Sequence, residues 1–161
     1  MIKVSQLFDV KYGVNLELNA LEQVPDGVNF VSRTAKNNGV SAKVKLIKGL
    51  EPIPAGTISV AGGGSVMESF LQPEPYYSGR DLYYLSALEP LTDQQKLFYC
   101  TCLRANKYRF NYGRQANRTL KDILIPSPDE IPAWVNSLNL VSLESLIAGL
   151  NAEIRKWSGK M

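Results

Sequence analysis

Between Arg109 and Arg118 the stretch RFNYGRQANR sets three arginines among three side-chain amides, Asn111, Gln115 and Asn117. A guanidinium offers forked donors that match phosphate oxygens or the O6/N7 edge of guanine, and a carboxamide both donates and accepts, as the N6/N7 edge of adenine requires. Arg109, Arg114, Gln115, Asn117 and Arg118 are therefore candidate nucleic-acid contacts. A second polar turn, RTAKNNG, adds Arg33, Lys36, Asn37 and Asn38, and Arg80 follows a tyrosine-rich run. Lys43 and Lys45 lie beyond the second turn; as compact point charges they suit holding phosphate more than reading base patterns.

Other chemistries lack their parts. There is no histidine, which removes Ser-His-Asp and Cys-His activation and the usual neutral-pH base. Cys100 and Cys102 sit two apart in a helical pattern, point in different directions, and give too few ligands for a zinc site. Gly62 to Gly64 lack P-loop spacing and its Lys-Ser/Thr ending, so the expectation there is close approach to a packed neighbour or a nucleic-acid backbone. No catalytic residue, metal site or cofactor is expected in this chain.

Charge is segregated although the net value is only +3. From Gly27 to Leu50 there are five basic residues and no acid; from Gln94 to Lys121 there are seven, again without an acid. That distribution permits a positive face on a nearly balanced protein, as a polyanion partner requires. No window approaches the roughly 20 apolar residues that cross a bilayer, and the start lacks a signal-peptide pattern, so a cytoplasmic protein is expected.

The positioning elements follow from periodicity. At 161 residues the chain suits one domain with a genuine core. NFVSRT reads as a strand entering the turn AKNNG, and Val40, Ala42, Val44 and Leu46 alternate along a second strand. Thr57 to Val60 and Tyr83 to Leu85 read as strands, with Tyr76 and Tyr77 beside turn residues and available either to the core or to base stacking. Thr92 and Gln95 form a capping-box signature for a helix with Leu97, Phe98, Cys102 and Ala105 on its apolar face. ILIP resumes the core, and Pro126 and Pro128 stop it. In the tail Leu143, Ile147, Leu150, Ile154 and Trp157 recur at four, three, four and three residues, the seam of a helix that packs on its own domain or finds a partner helix. The expected organisation is a recognition domain over 1–136 and a short helix over 137–161.

In order and detail, NFVSRTAKNNGV, GTISVAGGG, YYSGRDLYYL, the helix through Cys102 and YGRQANRTLKDILIPSP resemble the target recognition domain of bacterial restriction-modification specificity subunits. The resemblance covers roughly residues 1 to 157, and the closing turn, Thr119, Leu120 to Asp122 and Ile123 to Pro126 carry its most specific part. It implies a compact mixed α/β domain with a small twisted sheet, packed helices and a C-terminal helix, which reads double-stranded DNA through the major groove. Catalysis would belong to partners, an adenine methyltransferase using S-adenosylmethionine and/or a restriction subunit using Mg and in some cases ATP. Family members carry two such domains joined by long helices. Here one domain and a short helix are legible, leaving a half-subunit that homodimerises through Leu143 to Trp157, an isolated domain, or a divergent form acting with another protein. The competing expectation is a non-catalytic interaction module or decoy of restriction machinery without DNA specificity of its own.

Overall fold

The computed structural model describes residues 1–110 and 119–138, and the chain divides into two compact units, Met1–Ile131 and Pro132–Met161. Arg114, Gln115, Asn117, Arg118 and the seam from Leu143 to Trp157 lie outside the described residues.

The first unit begins with β1 (Ile2–Lys3), α1 (Val4–Leu7) and β2 (Phe8–Tyr12), so the opening apolar cluster divides between a helical turn and a strand. Next come β3 (Gln23–Val31), β4 (Val40–Val44), β5 (Ile58–Ala61), β6 (Ser69–Leu71), β7 (Tyr76–Ser78) and β8 (Leu82–Ala87). Helix α2 (Asp93–Arg104) and β9 (Leu124–Ile125) complete it. The strands form three small sheets ordered β2-β8-β5-β6, β4-β3-β7 and β1-β9. The mixed α/β expectation holds, with the pairing divided among these sheets.

Every residue of β5 is buried, as expected of a strand hydrogen-bonded on both sides in the middle of its sheet. In the second sheet β3 runs antiparallel to β4 and parallel to β7. Tyr76 and Tyr77 are strand residues fully shielded from solvent, and their hydroxyls are used internally. Tyr76 Oη lies 2.8 Å from Thr57 Oγ1; Tyr77 Oη donates to the Leu50 carbonyl at 2.7 Å and accepts from Ile47 N at 3.1 Å. These two rings belong to the core and not to a stacking surface. The alternation along β4 stops at Val44: Lys45 N turns to the Glu22 carbonyl, and Leu46 is 61% exposed.

Helix α2 starts as its sequence dictates. Thr92 Oγ1 accepts from Gln95 N at 3.2 Å while Gln95 Oε1 accepts from Thr92 N at 2.9 Å, satisfying two N-terminal donors reciprocally. Its buried stripe is Tyr99, Cys100 and Leu103, displaced from the expected Leu97 and Cys102 phase. Tyr99 meets Phe8 edge-on with ring centroids 5.6 Å apart, so an aromatic with a polar tip carries packing assigned from hydropathy to Leu97.

The second unit is described over 132–138, where α3 (Ala133–Asn136) buries Val135 and leaves Trp134 exposed.

Candidate nucleic-acid interface

Register brings the polar loops of the first unit to one end. Val31 is paired with Val40 and Ser78, Ala61 with Leu82, and Val60 with Ser69. Loops 32–39, 62–68 and 79–81 therefore leave neighbouring strand ends.

Asp81 ties these loops together. Its backbone is left-handed, φ +53°, a region asparagine and aspartate enter more readily than other side-chain-bearing residues. Asp81 N donates to Tyr12 Oη at 2.8 Å, its carbonyl accepts from Gly62 N at 2.8 Å, and its Oδ2 accepts from Arg33 Nη1 at 3.0 Å. The Gly63 and Gly64 backbone runs close against Arg33. A Cβ on Gly63 would stand 3.1 Å from Arg33 Nη1 and 3.2 Å from Asp81 Oδ2, and one on Gly64, whose φ is +61°, would stand 3.0 Å from Arg33 Cβ. Of the two surfaces expected to approach these glycines, the packed neighbour is present.

The AKNNG turn is built as its residues require, with Asn37 at φ +51°, Asn38 at +56° and Gly39 at +79°. Asn37 Nδ2 donates to the Val40 carbonyl at 3.0 Å and Asn38 Nδ2 to the Leu71 carbonyl at 3.0 Å, so both amide donors hold the turn. Buried Gln72 reinforces it by donating to the Asn38 carbonyl at 2.9 Å and to Ser59 Oγ at 3.0 Å. Lys36 is exposed on the same turn. Asn37, Asn38, Lys43 and Gln72 line one open cleft of about 320 Å³.

The C-terminal end of α2 is docked on β6 through cations. Arg104 donates from Nη1 to the Ser69 carbonyl at 2.7 Å, and Lys107 pairs with Glu68, whose side chain is 10% exposed. This anchor precedes Arg109, exposed and stacked on exposed Tyr108 with its guanidinium carbon 5.7 Å from the ring centroid. Lys45 faces Glu22 at 3.6 Å and Arg80 faces Glu17 at 2.5 Å, both as exposed pairs.

The structure thus gathers Arg33, Lys36, Asn37 and Asn38 with loops 62–68 and 79–81, and carries Lys45 on a pair with Glu22. Sequence reasoning missed Asp81, Glu68 and the anchoring roles of Arg104 and Lys107. The available signal was the acids lying between the two acid-free basic stretches, and it does not specify which cation each acid meets. Among the described residues no group of three or more His, Cys, Asp or Glu side chains is placed to hold a metal, and no helix is long and apolar enough to cross a membrane.

The sequence model described as "Type I restriction modification DNA specificity domain" matches residues 1–154. Over 139 residues the chain is 26% identical to the type II restriction enzyme BgcI specificity subunit S.BcgI of Heyndrickxia coagulans, covering 81% of this chain and 39% of that protein. Among solved structures it is similar to the type I restriction-modification system S subunit from M. genitalium, at a TM-score of 0.65 and 26% identity, over 96% of this chain and 42% of that one. The fold is also that of the HsdS subunit from Thermoanaerobacter tengcongensis, at a TM-score of 0.65 and 14% identity, over 94% of this chain and 39% of that one. The chain spans about two-fifths of the length of each of these relatives.

Proposed function

This chain belongs to the type I restriction-modification DNA specificity domain family, and from that premise we propose that it recognises a specific sequence in double-stranded DNA and directs partner enzymes to it. The family match over residues 1–154 carries this reading, and the convergence of loops 32–39, 62–68 and 79–81 at one end of the fold supports it. The chain acts without catalysis of its own, in the cytoplasm. An adenine methyltransferase carrying S-adenosylmethionine, and/or a restriction subunit using Mg and in some cases ATP, supplies the chemistry.

Arg33, Lys36, Arg80 and Arg109, with Arg114, Gln115, Asn117 and Arg118, form the DNA-facing set in this reading. Asn37 and Asn38 belong to it chiefly as the frame of the first turn, since their Nδ2 donors are engaged within the fold. Lys43 and Lys45 hold phosphate. Leu143, Ile147, Leu150, Ile154 and Trp157 form the seam for a methyltransferase or a second copy of the chain. Arginines that displace condensed counterions contribute affinity with a log-log salt slope of about −0.9 per phosphate neutralised. Bidentate base contacts add about 1–3 kcal/mol of discrimination each.

The test is selection of bound duplexes from a randomised library at two salt concentrations, followed by sequencing. A short motif at both concentrations, with retention falling as salt rises, is the expected result, and Arg114→Ala with Arg118→Ala should reduce retention. Salt-sensitive retention without a motif would overturn sequence reading. Retention unaffected by the two substitutions, together with loss of complex formation in Leu150→Asp, would favour the interaction module instead.

A further inference from the structure

The three loops at the polar end meet on one aspartate, and its hydrogen bonds are of two kinds. The backbone N–H and carbonyl of Asp81 hold Tyr12 and Gly62, which is architecture. Its carboxylate holds Arg33, a cation that needs no neutralisation to remain at a surface: the Arg33 side chain is 36% exposed and that of Asp81 21%. Among the described residues Asp81 is the hydrogen-bond partner of the Arg33 guanidinium, and the contact is made through Nη1. Gly63 and Gly64 pass close to the arginine, where a methyl group would crowd its head or its stem.

A carboxylate hydrogen-bonded to a planar guanidinium, with backbone packed close to the pair, restricts the movement of the side chain. A residue that only neutralises phosphate gains little from such restraint, because phosphate oxygens accept from many directions. A residue that reads a base edge gains much, because bidentate pairing to guanine O6 and N7 demands a fixed plane. We propose that Asp81 is a positioning residue that presents Arg33 to one guanine of the DNA target, with Gly63 leaving room for the pair where a side chain would crowd it. This rests on the DNA-recognition reading above.

Asparagine also tolerates positive φ and retains the backbone hydrogen bonds, so Asp81→Asn removes the carboxylate charge with little other change. Library selection on wild-type protein, Asp81→Asn, Arg33→Ala and Arg33→Lys, with thermal unfolding of each, tests the idea. Arg33→Ala should abolish preference for guanine at one position, and Arg33→Lys should not restore it. Asp81→Asn should weaken the same preference about ten-fold while other positions and the salt slope hold. Gly63→Ala, at a backbone angle alanine accepts, should lose that same position and serves if Asp81→Asn fails to fold. A wild-type motif left intact by Asp81→Asn, or eroded equally at all positions, would overturn the positioning role and leave DNA reading standing. A wild-type protein that selects no motif would remove the underlying reading and this proposal with it.

Discussion

Arg104, in the last turn of α2, reaches Ser69 at the start of β6: its Nη1 donates to the Ser69 carbonyl at 2.7 Å while the guanidinium carbon lies 5.8 Å from the Phe70 ring centroid. The contact fixes where the helix ends on the sheet and so where the chain enters the Lys107–Phe110 turn. Charge-assisted hydrogen bonding and a partly exposed cation–π contact together contribute about 1–3 kcal/mol. Arg104→Ala should lower the free energy of unfolding in urea by that amount, with Arg104→Lys intermediate because an ammonium reaches one partner and loses the planar stack. Equal stability of wild type and Arg104→Ala would show that the Tyr99, Cys100 and Leu103 stripe and the Lys107–Glu68 pair dock the helix without Arg104.

Alkaline pH should loosen the fold. Burial pushes the Cys100 thiol up to about 12 from 9.0 and the Tyr99 phenol up to about 12 from 10.0, and it raises Tyr76 further. The folded chain keeps these protons where the unfolded chain releases them. Their stabilising effect is therefore complete below about pH 9 and is lost as pH rises toward 12. Thermal midpoints should fall across that interval, and phenolate absorbance should show Tyr76 and Tyr99 ionising only with unfolding. Phenolate appearing on Tyr76 in folded protein would contradict the burial assigned to it.

How far the fold was legible follows the range of each signal. The TDQQ cap and the AKNNG turn are local, each formed within a few residues, and both occur as read. The β7 segment was not legible as a strand. Tyr76 and Tyr77 pair in parallel with β3 and are buried on both faces, so no period-two alternation marks them. The phase of α2 was missed because Tyr99 and Cys100 carry the packing while Leu97 faces outward. At the candidate site the residue types were legible and their partners were not: Arg33 meets Asp81 across 48 positions of sequence, and Asn38 meets Leu71 across 33.

The capping box gives a local prediction with a distant consequence. Thr92→Ala removes the acceptor for Gln95 N and should cost about 1 kcal/mol, as such caps do. Helix α2 carries Arg104 at its other end, so hydrogen exchange should accelerate in its first turn while the amides near Arg104 remain protected. Uniform acceleration along α2 would mean that the helix melts as a unit and that the cap, more than the Arg104 dock, sets its stability.

Gly27 sits where the β3–β4 register breaks, with Gln23 and Val28 both paired to Val44. A Cβ there would lie 2.3 Å from the Val44 carbonyl oxygen, a clash with backbone that no side-chain rotation relieves. Gly27→Ala should therefore force the strands apart beside fully buried Val44 and cost about 1–3 kcal/mol, the usual range for an inserted methyl without room. Because the break lies within the β4-β3-β7 sheet, urea unfolding should shift to lower denaturant and β4 amides should exchange faster, with α2 amides unchanged. An alanine variant as stable as wild type would mean that the bulge can widen freely and that the β3–β4 register is held instead by the pairing from Asn29 to Val31.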